Sequence, residues 1–186
     1  MTDKKTGFLF PEVGKPSKDA KPKKSRKKSR MPDALNKIQG AKDRETRLKI
    51  IQGIANSKEL WVNEVLIQAL EDPSEDIRNF IIREISSRED FDPNLLYQRL
   101  HKPPWYAKTG CLKILGMRKN VSSVKYIESL VNDPNIEVRR TLAFVLGEIG
   151  GKRALALLVK LSEDNSSFVR VHARQALREA SQVKFT

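Results

Sequence analysis

Asp133-Pro134-Asn135-Ile136-Glu137-Val138-Arg139 has two relatives within the same chain, Asp72-Pro73-Ser74-Glu75-Asp76-Ile77-Arg78 and Asp164-Asn165-Ser166-Ser167-Phe168-Val169-Arg170. In each, a basic residue stands six places after the leading Asp. Lys102…Lys108 keeps this register, and Ala41…Arg47 keeps it loosely. The basic positions 47, 78, 108, 139 and 170 are therefore spaced by 31, 30, 31 and 31 residues. A period of this size marks an array of small units, each burying its apolar face against the next.

The stretches between these positions read as helices at about 43–56, 58–71, 74–88, 93–101, 104–118, 121–132, 135–149, 151–162 and 166–181, after a short one from Pro32 to Gln39. Asp-Pro at 72–73, 92–93 and 133–134 fits helix starts, with Asp as N-cap and Pro in the first turn. Asn120 and Gly150-Gly151 fit helix ends. No stretch alternates with period two, so no sheet is expected. The fold class is all-α, an α-solenoid of about five antiparallel helix pairs.

Counting from the basic residue of each second helix exposes the packing. Three places on stand Ile50, Ile81, Cys111, Leu142 and Ala173, and seven on stand Ile54, Ile85, Leu115, Leu146 and Leu177. Both columns are apolar and share a helix face, so they should meet the first helices at Leu66/Leu70, Leu96/Leu100, Ile127/Leu130 and Leu157/Leu161. Four places on stand Ile51, Ile82, Leu112 and Ala143, then Arg174. Eight on stand Ala55, Ser86, Gly116 and Gly147, then Arg178. These positions should face the following repeat. Arg174 and Arg178 in the last unit are expected to form a polar cap that ends the array by Ser181. The expected division is a basic arm over 1–31, a solenoid over 32–181 and a short tail over 182–186.

Charge is uneven. Of the net +13, residues 1–30 hold 11 Lys/Arg against 3 Asp/Glu, a net +8. This arm is too polar to bury a core and is expected to be disordered. Within it Phe8, Leu9 and Phe10 form an apolar island suited to docking in a partner's groove. Lys23, Lys24, Arg26, Lys27, Lys28 and Arg30 form a basic block suited to nucleic acid or, in a eukaryote, to a nuclear address. A single cysteine, Cys111, excludes an intrachain disulfide, and no apolar run is long enough to span a membrane. With no signal peptide either, a cytoplasmic location is expected.

The run Asp133-Pro134…Val138-Arg139…Leu146-Gly147-Glu148-Ile149-Gly150 resembles the HEAT-repeat family, in particular the short helix-pair form of phycobilin-lyase-like proteins. The likeness covers about residues 32–181. It implies a right-handed superhelix whose second helices line the concave side, and binding or scaffolding in preference to catalysis. It also implies that the leading Asp and the Arg six later bond each other and knit neighbouring repeats. Asp72/Arg78, Asp133/Arg139 and Asp164/Arg170 can do so here. Arg47 has Asp43 within one turn, and Lys108 has no such Asp.

On a helical wheel the positions one, five and nine past the basic residue lie opposite the core columns, with position two beside them. This open face carries Lys49, Phe80, Arg83, Lys113, Met117, Arg140, Phe144 and His172. Apolar groups among cations suit a groove that binds a protein or peptide. The alternatives are a nucleic-acid-associated protein using the arm with Arg83, Lys113, Arg118, Lys119 and Arg140, and an accessory subunit of a phycobilin-lyase-like enzyme. His101 and His172 lie about two repeats apart, Cys111 sits in a core column, and no Cys/His pair has metal spacing. No catalytic residue, metal or cofactor is therefore expected.

Overall fold

The computed structural model describes the backbone of residues 25–182 and the side chains of residues 30–180. Phe8, Leu9, Phe10, Lys23 and Lys24 lie outside the described residues, as do the side chains of Arg26, Lys27 and Lys28. The described chain is all-helical. Five pairs follow one another: α1 (Ser25–Gly40) with α2 (Arg44–Ala55), α3 (Leu60–Gln68) with α4 (Glu75–Ser87), α5 (Asn94–Arg99) with α6 (Trp105–Met117), α7 (Val124–Ile127) with α8 (Ile136–Ile149), and α9 (Gly151–Leu161) with α10 (Ser167–Gln182). The second helices α4, α6, α8 and α10 pack on one another in sequence, making one continuous layer.

Two boundaries differ from those read in the sequence. α1 starts at Ser25, seven residues before the expected Pro32, which lies inside it. The Lys- and Arg-rich run ahead of Pro32 holds good helix formers and no breaker. Ala34 and Ile38 of α1 are buried, and Arg30 pairs with Glu59 at 2.7 Å. The segment expected as one helix over 121–132 is instead a short α7 between 3-10 turns at Val121–Ser123 and Glu128–Asn132. Tightened i→i+3 turns are common at helix ends, and here they frame a helix of one turn.

The helix starts also shift. Asp72 and Asp133 stand two residues ahead of the true N-caps, Ser74 and Asn135. Asn135 accepts from the N–H groups of Glu137 and Val138. Asp43 is an N-cap, accepting from the N–H of Thr46 at 2.8 Å, and these bonds hold its carboxyl below the usual range. The α8–α9 turn does need glycine: Gly150 and Gly151 have φ of 69° and 86°. After α6 the positive φ falls on Lys119, while Asn120 caps the turn that follows by accepting from Ser122.

One core runs the length of the array. Ile81, Cys111, Leu142 and Ala173 are fully buried, as are Ile85, Leu146 and, nearly, Leu115. At the ends the columns loosen, with Ile50, Ile54 and Leu177 only partly buried against the core. In the last pair Leu158 takes the buried place expected for Leu157, which is half-buried. A further column, the residue just before the basic position in repeats two to five, is fully closed: Ile77, Ala107, Val138 and Val169.

The positions eight past the basic residue do face the next repeat. A Cβ on Gly116 would lie 3.2 Å from Val145, and one on Gly147 only 2.8 Å from the Cβ of Ala176. Small residues here let adjacent second helices approach closely. In the last repeat Arg174 and Arg178, four and eight past Arg170, are exposed, and Arg174 donates to the carbonyl of Ser162.

Candidate functional site

The repeated basic residues have structural partners, as expected of them, but the partners differ from those read in the sequence. Arg139 donates through Nε and Nη2 to the Asp164 carboxylate at 2.7 and 3.0 Å. Lys108 reaches Asp133 at 2.7 Å, and Arg47 reaches Asp72 at 2.6 Å. Each link joins a basic residue to the leading Asp of the following repeat, 25 residues on. The carboxylates are almost closed to solvent, with side chains 4–8% exposed. The bond to Asp164 raises the pKa of Arg139, and its partner's carboxyl is lowered by the same bond. The same logic raises Arg47 through Asp72.

The expected carboxylate pairing within a repeat is thus corrected. Arg78, Arg139 and Arg170 reach back six residues, but to the backbone carbonyls of Asp72, Asp133 and Asp164, at 2.9, 2.8 and 2.7 Å. The Asp side chain is turned forward instead, accepting the N–H two residues on, as Asp164 does from Ser166 at 2.8 Å, and the cation of the preceding repeat. Arg139 therefore clamps two repeats at once. Two further expectations change: Arg47 uses Asp72 and leaves Asp43 to its cap, and Lys108 is paired.

The ladder misses one rung, because Lys102 replaces the leading Asp of the third repeat. Arg78 there lies over the Tyr106 ring at 4.7 Å, and the junction is held by Arg99 donating to Glu71 at 2.6 Å. The structural role of a second set of arginines, 30 residues apart, escaped the sequence reading. Arg88 donates to the carbonyls of Ala55 and Ser57, at the end of α2. Arg118 donates to those of Ile85, Ser86 and Arg88, at the end of α4. Both satisfy helix-end carbonyls of the preceding repeat. Arg118 is thereby removed from the residues expected to meet phosphate. The repeat of Arg at 88 and 118 was the available signal.

On the open face, Met117, Phe144 and Val171 are 55%, 57% and 61% exposed, large values for apolar side chains. Phe80 differs, being half-buried against the core. Lys49 pairs with Glu45 one turn away. Arg140 pairs with Glu137 at 2.6 Å and donates to His172 Nε2 at 3.4 Å, while His172 Nδ1 donates to the carbonyl of Phe168 at 2.8 Å. Arg83 and Lys113 are exposed and have no hydrogen-bond or ion-pair partner among the described residues.

Between α8 and α10 a cleft of about 880 Å³ opens beside this face. Phe144, Leu155 and Ala176 supply apolar lining, and Lys119, Glu148, Lys152 and Glu179 supply charge. Lys119 approaches Glu148 at 3.6 Å, and Gln175 donates to Glu179 at 3.0 Å. Elsewhere chemistry is sparse. Burial pushes the Cys111 thiol up to about 12, which removes its thiolate at neutral pH. Among the described residues no three His, Cys, Asp or Glu side chains gather as a metal site, and no helix is long and apolar enough to cross a membrane.

Residues 93–178 match the family described as HEAT repeats. Among solved structures, the complex of CpcE and CpcF of phycocyanin lyase from Nostoc sp. PCC7120 is similar at 20% identity, covering 92% of this chain and 71% of that one, with a TM-score of 0.54. A designed armadillo repeat protein in complex with the peptide (KR)4 is 15% identical, covering 84% and 90%, with a TM-score of 0.42. Among curated proteins none matches.

Proposed function

We propose, from the premise that this chain is a HEAT-like repeat protein, that it is a non-enzymatic scaffold whose open face binds a segment of another protein. The observation that carries this reading is the row of exposed apolar side chains, Met117, Phe144 and Val171, on the layer of second helices. Such a row costs solubility unless something covers it, and a protein segment with apolar anchors does so. The competing phosphate track is weakened by the same geometry. Arg47, Lys108 and Arg139 hold neighbouring repeats together, Arg118 caps α4, and Lys49 and Arg140 have carboxylate partners. Binding nucleic acid through Arg47, Lys108, Arg139 or Arg118 would require breaking bonds between repeats.

The likeness to the phycocyanin lyase complex supports the fold, and an accessory lyase role rests on that likeness alone. The expected cytoplasmic location and the role of the basic arm belong to the same proposal. The test is affinity capture from native extract with the full chain as bait, with and without nuclease. Protein recovered in both arms, and lost with Met117→Ala plus Phe144→Ala, is the expected result. Recovery that disappears with nuclease contradicts the reading.

A further inference from the structure

Resting on that reading of the open face, we infer that the segment it takes is acidic and aromatic. Its carboxylates would lie against Arg83 and Lys113, and its bulky apolar side chain would fill the cleft between α8 and α10.

The charge argument starts from which cations are free. Arg83 and Lys113 share one register, five places past the basic position, on helices α4 and α6, which pack on each other. Both are exposed and unpartnered among the described residues. The nearby carboxylates are already engaged: Asp76 pairs with Arg44, and Glu84 with Arg88. This central stretch of the face is therefore positive without internal compensation, and like-charged partners are rejected there.

The other end of the face is balanced in charge. Glu148 and Glu179 stand at the cleft with Lys119 and Lys152, and Lys119 lies 3.6 Å from Glu148, beside the apolar surface of Phe144, Leu155 and Ala176. A second acidic group of the ligand gains little net attraction at this end, whereas an aromatic side chain gains by burial. The direction in which the segment crosses the repeats follows from this asymmetry. Neighbouring packed helices lie roughly 8–10 Å apart. Carboxylates for Arg83 and Lys113 should then be about three residues apart on an extended chain, at roughly 3.3 Å per residue. The cleft lies about one and a half helix spacings beyond Lys113, roughly 12–15 Å, so the aromatic residue should follow about four residues later.

The test uses the full chain and labelled synthetic peptides carrying two Glu and one Trp at these spacings. Fluorescence anisotropy compares the parent peptide with one carrying Lys for both Glu, one carrying Ser for Trp, and a single-stranded oligonucleotide of equal length. The parent should bind at least about tenfold more tightly than either altered peptide. Arg83→Glu with Lys113→Glu should invert the preference between Glu and Lys peptides; both positions are exposed, so folding is not at risk. The inference is overturned if the parent does not bind at millimolar peptide, or if the Lys peptide binds equally well. It is also overturned if the double reversal leaves the ratio unmoved. Should the oligonucleotide alone bind, and lose affinity with the reversal, the protein-binding reading falls with it. A captured partner that still needs Met117 and Phe144 while ignoring the charge reversal would sink only the acidic requirement.

Discussion

Arg139 and Arg170 provide an internal control for the inter-repeat ladder. Both donate through Nη1 to the carbonyls five and six residues back. Only Arg139 also holds a carboxylate, that of Asp164, through two bonds. Arg139→Ala removes the backbone bonds and leaves the Asp164 side chain, 8% exposed, without its cation. Breaking one side of a largely buried ion pair costs about 3–5 kcal/mol. Here the lower half applies, because Asp164 keeps the Ser166 N–H and can admit some water. Arg170→Ala exposes two carbonyls that water can reach, worth about 1 kcal/mol. The difference between the two variants, about 2 kcal/mol, is the worth of one inter-repeat link. Urea denaturation followed by helical circular dichroism measures both. If the two variants are equal to within about 0.5 kcal/mol, the carboxylate link contributes nothing and the ladder is decorative.

Glycine substitutions should have opposite signs at two sites. Gly147→Val should cost about 1–3 kcal/mol, because its first side-chain carbon meets Ala176 at 2.8 Å, whereas Gly53→Ala, in α2 with open space around it, should stabilise by about 0.5–1 kcal/mol in the same melts. Leu146→Ala should cost about 2–5 kcal/mol, since its side chain is fully buried; a thermal or urea shift equivalent to less than about 1 kcal/mol would show that the core register is wrong. The Asp164 carboxyl is held below its ordinary value, chiefly by Arg139, so the folded state binds this proton less readily than the unfolded one. Its contribution is present above the unfolded pKa of about 4 and is lost as pH falls through the lower folded value. Stability measured against pH should therefore drop below about pH 4, and less steeply in Asp164→Asn.

The period and the apolar columns were legible because each unit repeats the same packing problem. Any residue that meets it must recur near 31-residue spacing, as Ile85, Leu115 and Leu146 do. The partners of the leading Asp were not legible for a geometric reason. Asp164 has Arg170 six residues on and Arg139 25 residues back, and only the stacking of repeats decides which guanidinium meets the carboxylate and which meets the carbonyl. The same stacking hid Arg88 and Arg118, whose acceptors lie on the preceding repeat. The helix starts slipped because Asp72 and Ser74 both suit a cap, and the carboxylate was needed elsewhere. Of the open-face residues, Met117 and Phe144 lie exposed as the wheel places them. Phe80 sinks half-way into the core, so its truncation would mix packing with binding.

Binding to the captured partner, titrated at low and high salt, tests the central claim of a protein-binding open face. Apolar contacts are barely screened by salt, whereas phosphate contacts draw on counterion release and fade steeply. Met117→Ala with Phe144→Ala should weaken binding by more than about 2 kcal/mol at both salt concentrations, as anchor truncations do. Arg83→Ala with Lys113→Ala should cost less and act mainly on the association rate. If the basic pair instead carries most of the affinity, and its effect vanishes in high salt while the apolar pair is silent, the face is a phosphate track and the protein-binding account is wrong.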